Sequence, residues 1–205
     1  MRENDGAGTD AAKNGEIVGT NTIITGADKS DSAEAARTLS ARVHATQVDR
    51  AGQPYATHPA RVAQRAAELA DLHQLSADER ATLISAAYLH DVVEDSGENG
   101  HPDVTTTDLS DLGFTAACVE IVRLVTKTGH GTTDDSYYEA IVENTLARLT
   151  KIADISDNSN ISRQQLLAAL GRPVKQEKYL HAIALMALTE IERAWFDRAI
   201  QLPAV

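Results

Sequence analysis

The stretch Tyr88-Leu89-His90-Asp91-Val92-Val93-Glu94-Asp95 places His, Asp, Glu and Asp close together at the end of an otherwise apolar run. Leu83, Ile84, Ala87 and Leu89 recur there with helical spacing. A His-Asp doublet leaving an apolar helix is costly unless a partner meets its charge, and a divalent cation is such a partner. His90 and Glu94 are four apart, as are Asp91 and Asp95, so the helical reading puts each pair on one face. The doublet can then bind a metal while the two carboxylates one turn later face the same cleft.

Two other places supply candidate ligands. His58 sits at a loop-to-helix junction, and Asp154 lies in the amphipathic segment Lys151-Ile152-Ala153-Asp154-Ile155-Ser156-Asp157-Asn158. His58, His90, Asp91 and Asp154 together make a mixed nitrogen and oxygen set. Such a set suits Mn²⁺, Fe²⁺ or Zn²⁺ better than the all-oxygen sites of Mg²⁺ or Ca²⁺. Four protein ligands on an octahedral ion leave roughly two positions for water and substrate. His44, His73, His101, His130 and His181 carry weaker signals, and His73, His101 and His130 read as loop residues.

The elements that must position these groups read as helices. The chain has 205 residues, enough for one sizeable domain, with a 42% hydrophobic fraction but only 4% aromatics. A core of Ala, Leu, Ile and Val suits packed helices. The net charge of −11 argues against a general nucleic-acid footprint. An anionic substrate therefore needs local neutralisation, from a metal or from a few cations, with Arg50, Lys127 and Lys151 as candidates that each, taken alone, read more readily as a plain surface charge. The single Cys118 excludes an intrachain disulfide and a cysteine metal cage. No apolar run reaches membrane-spanning length, and the N-terminus lacks a signal-peptide apolar region. The expectation is a cytoplasmic protein with no membrane partner.

Residues 1–30 are rich in Gly, Asn, Asp and Thr and read as a flexible tail, leaving 31–205 as the folded domain. Helices are expected from Asp31 or Ser32 to about Val48, from His58 to about Leu72, and from a capping box at Ser76 to about Val93. Shorter helices are expected over Thr107–Leu112, Thr115–Thr126, Asp135–Asn144 and Leu146–Ser156. A last long helix is expected over about Val174–Ile200. Its apolar face (Ile183, Leu185, Leu188, Ile191, Trp195) suits a core or a homodimer contact equally. Gly- and Pro-bearing segments at 49–54, 96–106 and 128–134 read as loops. No strand pattern emerges, so the fold class is all-α.

Taken together, four ordered segments resemble the HD-domain hydrolases of the RelA/SpoT type. His44-Ala45-Thr46-Gln47-Val48-Asp49-Arg50-Ala51-Gly52-Gln53-Pro54-Tyr55-Ala56-Thr57-His58-Pro59 is similar to their first signature. Leu89-His90-Asp91-Val92-Val93-Glu94-Asp95 is similar to their HD and ED motifs, and Val125-Thr126-Lys127 and Lys151–Asn158 to the two later ones. The resemblance covers about residues 35 to 200. No synthetase or regulatory domain follows, so the chain looks like a stand-alone small alarmone hydrolase.

That resemblance implies a single-domain helical bundle, a Mn²⁺ ion and removal of the 3′-pyrophosphate from guanosine tetra- or pentaphosphate. It implies His58, His90, Asp91 and Asp154 as metal ligands and Glu94 and Asp95 as the catalytic acidic pair. Asn158 becomes a substrate contact. Tyr179 resembles a family tyrosine near the nucleotide, though it equally suits a core aromatic. Adjacent carboxylates beside substrate phosphates should not both ionise freely, so one of Glu94 and Asp95 can shuttle a proton while the other positions water. One departure bears on substrate. Where many guanosine-specific members carry an arginine that contacts the base, Gln47-Val48-Asp49 presents Asp49, which cannot stack as a guanidinium does. Asp49 could accept a hydrogen bond from guanine or adenine, which leaves (p)ppGpp and (p)ppApp both open. Two other readings stand beside this one: an HD-domain phosphohydrolase of another nucleotide, such as an NADPH 2′-phosphatase, and a non-catalytic nucleotide-binding protein.

Overall fold

A computed structural model describes residues 29–97, 103–127 and 135–202. Residues 1–28 of the proposed tail, His101, His130 and the loop at 128–134 lie outside the described residues, while residues 29 and 30, counted with that tail, belong to the first helix. Among the described residues the secondary structure is helical: α1 (Lys29–Val43), α2 (Thr57–Leu72), α3 (Ala77–Leu89), α4 (Val92–Asp95), α5 (Thr106–Asp111), α6 (Ala116–Val125), α7 (Asp135–Val142), α8 (Thr145–Asn158), α9 (Ile161–Ala169), α10 (Gln176–Leu185) and α11 (Glu190–Ala199). The all-α expectation holds. No helix among them is long and apolar enough to cross a membrane.

The helix α8 is the axis of the bundle. Every residue from Leu149 to Asp157 is buried, because α2, α3, α6, α7, α10 and α11 all pack on it. Leu69, Leu83, Leu89, Leu109, Ile121, Ile141, Leu149, Ile152 and Met186 are the largest apolar side chains that are fully buried in this core, beside the bulkier Trp195 and Phe196. Full burial of one such side chain contributes about 1.5–3 kcal/mol. The helix α1 covers α3 from the other side. An axis buried all round can carry Lys151, Asp154 and Asp157 only if each finds a partner. Those partners define the site below.

Local chemistry sets the boundaries. Ser76 accepts the Glu79 backbone N–H while the Glu79 carboxylate accepts the Ser76 N–H, the reciprocal cap expected for α3. Three expectations need correction. The first helix stops at Val43 rather than Val48, and residues 44–56 form a folded loop. There Asp49 N donates to Gln53 O at 2.8 Å and the Asp49 carboxylate caps Ala51 N and Gln53 N. Gly52, with φ +78°, closes the turn in a region that favours glycine. The third helix does not run through to Val93. It ends at Leu89, and His90-Asp91 form a break before the four-residue α4.

Between α8 and residue 174, where the sequence pattern assigned no element, α9 begins at Ile161 after the N-cap Asn160, whose side chain accepts the Arg163 N–H at 3.1 Å. The long last helix is two. Ala187 takes φ +48°, which ends the helical path, and Thr189 opens α11 with its own capping box to Glu192. The apolar face assigned to that helix goes mostly inward. Ile183 and Trp195 are buried and Leu185 and Leu188 pack on the core, while Ile191 is exposed.

Candidate functional site

Three helices deliver side chains to one point. His58 stands in the first turn of α2, His90 follows the end of α3, and Asp154 comes from the third turn of α8. One ligand atom from each lies within 4.8 Å of the others, and all three residues are buried. His58 Nε2 is 3.4 Å from Asp154 Oδ1 and 3.6 Å from Asp91 Oδ2. His90 Nε2 is 3.0 Å from Asp91 Oδ2 and 3.8 Å from Asp154 Oδ1. The four residues assigned as ligands therefore meet, with the break after α3 turning Asp91 toward both imidazoles.

The tautomers follow from the outer contacts. His90 Nδ1 lies 2.8 Å from the Ala87 carbonyl, which can only accept, so Nδ1 carries the proton. His58 Nδ1 lies 2.8 Å from Asp157 Oδ2, which accepts in the same way. Both imidazoles thus turn Nε2 toward the two carboxylates. His90 Nε2 is buried and has no hydrogen-bond partner. Two inward imidazole nitrogens beside two carboxylates, one of the nitrogens orphaned, are a donor set that a divalent cation satisfies. The residues fit a metal.

The electrostatics agree with the geometry. Burial raises the Asp154 pKa, but Lys151 and the two histidines outweigh it and hold the carboxyl well below its ordinary range. The same contest, decided by His90 and His58, holds Asp91 low. Burial disfavours the imidazolium of His58, yet Asp154 and Asp157 lift its pKa to about 10. A cation and a proton therefore compete for His58 Nε2.

Outer contacts pin each group. The Tyr55 hydroxyl donates to Asp91 Oδ2 at 2.5 Å. Lys151 Nζ donates to Asp154 Oδ2 at 2.8 Å, and Asn158 Nδ2 to Asp154 Oδ1 at 2.6 Å. Asp157 is the group that sequence reasoning passed over. Fully buried, it accepts from His58 Nδ1 and takes the Arg61 guanidinium on both oxygens, at 2.8 and 2.9 Å. Nothing in the local sequence signals this, because its partners lie nearly a hundred positions away. Gln47 was likewise unassigned. Its Oε1 faces His44 Nδ1 at 2.6 Å and its Nε2 donates to Asp95 Oδ2 at 2.9 Å. His44, a weak candidate by sequence, packs its ring 5.0 Å from that of Tyr55.

The acidic pair sits on α4, next to the cluster. Glu94 meets Lys127, whose Nζ and backbone N both lie 3.2 Å from its carboxylate. Asp95 is held by Gln47 on the opposite side. Lys151 lies over the Tyr137 ring, 5.7 Å from its centroid. Tyr179 is half-buried. It packs against the apolar core, and burial chiefly raises its pKa, with the Asp154 charge adding to the rise. Arg50 stands apart, donating from Nη2 to the Pro173 carbonyl.

Asp49 is not offered to a base. Its Oδ1 takes the backbone N–H groups of Ala51 and Gln53, its Oδ2 takes Arg163, and its side chain is only 5% exposed. A carboxylate so committed has no surface for a nucleobase, which corrects the reading of Asp49 as a base contact. The other described histidines lie elsewhere: His73 Nε2 is 3.0 Å from Glu192 Oε1, and the exposed His181 meets Asp135.

A sequence model of the HD domain matches residues 55–159, more than half of the chain and the span that holds His58, His90, Asp91 and Asp154. No curated protein matches the chain.

Proposed function

The chain belongs to the HD-domain family, and on that premise we propose that it is a Mn²⁺-dependent 3′-pyrophosphohydrolase of nucleotide alarmones, (p)ppGpp or (p)ppApp. Family membership carries the coarser statement, a metal-dependent phosphohydrolase. The finer one is supported by the order of the four motifs and by one observation of the site. Lys151 pairs with Asp154 inside the His58–His90–Asp91–Asp154 cluster, and α4, which follows Asp91 directly, carries Asp95 and Glu94, the latter paired with Lys127. Cations concentrated beside the acids are what a polyanionic substrate needs in a chain of net charge −11.

His58, His90, Asp91 and Asp154 would hold the metal, which when bound polarises a phosphate oxygen and lowers the pKa of a coordinated water. The rest of the chemistry falls to the protein. Tyr55 keeps Asp91 turned inward, and Lys151 and Asn158 do the same for Asp154. Asp95, fixed by Gln47, takes the proton of the attacking water. Water attacks the phosphorus linked to the 3′-oxygen, the P–O3′ bond breaks, the 3′-oxygen recovers a proton and pyrophosphate leaves. Lys127, tied to Glu94, lies where it can meet the departing phosphate charge.

The test is pyrophosphate release from ppGpp, pppGpp and pppApp in parallel with Mn²⁺, with Asp91→Ala as control. Release from the guanosine compounds, lost in the variant, supports the reading for that base, and release from pppApp alone makes the adenosine alarmone the substrate. No release from any of the three, with metal bound, refutes it.

A further inference from the structure

The turn after α1 carries a buried imidazole that no step above uses. His44 is 1% exposed and among the largest fully buried side chains of the protein. Its ring makes a single hydrogen bond: Nδ1 lies 2.6 Å from Gln47 Oε1, while Nε2 is buried without a partner. An orphaned buried nitrogen costs stability, and an apolar side chain of similar volume would avoid that cost. What the imidazole supplies, and an apolar group does not, is the Nδ1 contact to Gln47.

The direction of that contact follows from its far end. Asp95 Oδ2 is a carboxylate oxygen, so the Gln47 group 2.9 Å from it is the NH₂. The Gln47 amide oxygen then faces His44, and it only accepts, so Nδ1 carries a proton in the neutral ring as in the charged one. The hydrogen bonds run one way, from imidazole N–H to amide oxygen and from amide N–H to carboxylate. Backbone contacts hold the turn around them. His44 N donates to Ser40 O at 3.0 Å and Gln47 N to His44 O at 3.2 Å. Tyr55 N donates to Gln47 O at 2.9 Å, and the Tyr55 ring packs 5.0 Å from that of His44. The imidazole is therefore fixed, whereas Gln47 is half-buried and ends in an amide with a broad torsional preference. An amide tied to Asp95 alone swings about its last bond, and one tied at both ends does not.

We infer that His44 is a positioning residue, which acts through Gln47 by fixing the amide whose NH₂ holds Asp95 toward the attacking water. This role rests on the reading of Asp95 as the group that takes the water's proton. The fixing of Gln47 by His44 does not depend on which phosphate compound is cleaved.

The experiment uses the full chain with Mn²⁺ and whichever of ppGpp, pppGpp and pppApp turns over. His44→Leu removes the N–H and keeps an apolar filling. It lowers kcat about tenfold or more, with KM and Mn²⁺ affinity within a few-fold of wild type and no loss of stability in urea. His44→Asn, whose amide nitrogen falls where Nδ1 stood, restores kcat to within a few-fold of wild type. His44→Gln, which carries its amide past that point, does not. In the Gln47→Leu background, His44→Leu costs nothing further, because both changes act on one contact. Wild-type kcat in His44→Leu overturns the role and leaves the activity reading intact. A His44→Leu penalty that multiplies with that of Gln47→Leu, or that only tracks a loss of stability, overturns it as well. Side-chain NMR supplies a readout without turnover. The Gln47 NH₂ signals, assigned by their absence from Gln47→Leu, exchange slowly with water in wild type and His44→Asn, and become averaged and fast-exchanging in His44→Leu. Unmoved signals in His44→Leu overturn the inference. If no alarmone is hydrolysed yet those signals change, the activity reading fails and the fixing of Gln47 by His44 stands.

Discussion

Replacing Asp157 with Asn tests whether one buried carboxylate orients the candidate metal site. Asp157 accepts from His58 Nδ1 at 2.8 Å and from Arg61 Nε and Nη2 at 2.8 and 2.9 Å, with Arg65 Nε at 3.5 Å. Burial works against its charge, but His58 and Arg61 hold its pKa well below the ordinary range. An amide at this position keeps the volume and removes the charge. Its NH₂ group must then face either His58 Nδ1–H or Arg61, and both of these donate. Two effects follow. Loss of the partner that fixes a ligating histidine weakens metal binding about 10–100-fold, or about 1.4–2.8 kcal/mol. Leaving Arg61 and Arg65 without their buried anion costs about 3–5 kcal/mol of folding stability. Mn²⁺ titration reads the first and urea unfolding of the chelated protein reads the second. Arg61→Ala separates them: it destabilises the fold but leaves the His58–Asp157 contact, so its Mn²⁺ affinity stays within a few-fold of wild type. A folded Asp157→Asn protein with wild-type Mn²⁺ affinity refutes the reasoning.

Glu192 offers a pH prediction away from the site. Its side chain is buried, and Arg148 holds both oxygens at 2.7 Å, with the Thr189 cap beside them. Burial raises its pKa, but these contacts bring it down to about 2. A depressed folded pKa stabilises above the unfolded value and the contribution fades as pH falls through the folded one. The pair therefore contributes on the order of 3 kcal/mol at neutral pH and loses it between about pH 4.5 and 2. The stability of Glu192→Gln should fall less steeply with acid over that window, and parallel curves would sink the idea. Gln47→Leu removes the amide that holds Asp95. It should lower kcat for the proposed hydrolysis about 100-fold while leaving Mn²⁺ affinity as in wild type, since Gln47 touches none of the four candidate ligands. Unchanged kcat would release Asp95 from dependence on Gln47.

What could be read from sequence was whatever chemistry is local. The Ser76–Glu79 capping box, the His90–Asp91 doublet and the Lys151–Asn158 segment announce themselves within a few residues. The same local pattern at Thr189–Glu192 went unread because apolar spacing from Ile183 to Trp195 continues across it, and periodicity outvoted the cap. The break at His90-Asp91 was hidden for a related reason, as the i,i+4 spacing of the acids suits an unbroken helix. The structure still keeps those acids near the doublet, through the Asp95 N–H donating to Asp91 O. The His58 contact of Asp157 and the Arg163 contact of Asp49 depend on partners far along the chain. No window of sequence contains both halves of either contact.

The donors at the candidate centre come from α2, from the end of α3 and from α8, and so tie residue 58 to residue 154 through residue 90. A cation bridging them would act as a removable crosslink across the middle of the chain, present in the native state and absent from the unfolded one. By mass action the folding free energy would then grow with the logarithm of free metal concentration once that exceeds Kd. The melting temperature of this protein becomes a gauge of its metal supply, and a metal-starved cell would hold a larger unfolded, protease-sensitive fraction of it before any loss of chemistry is felt.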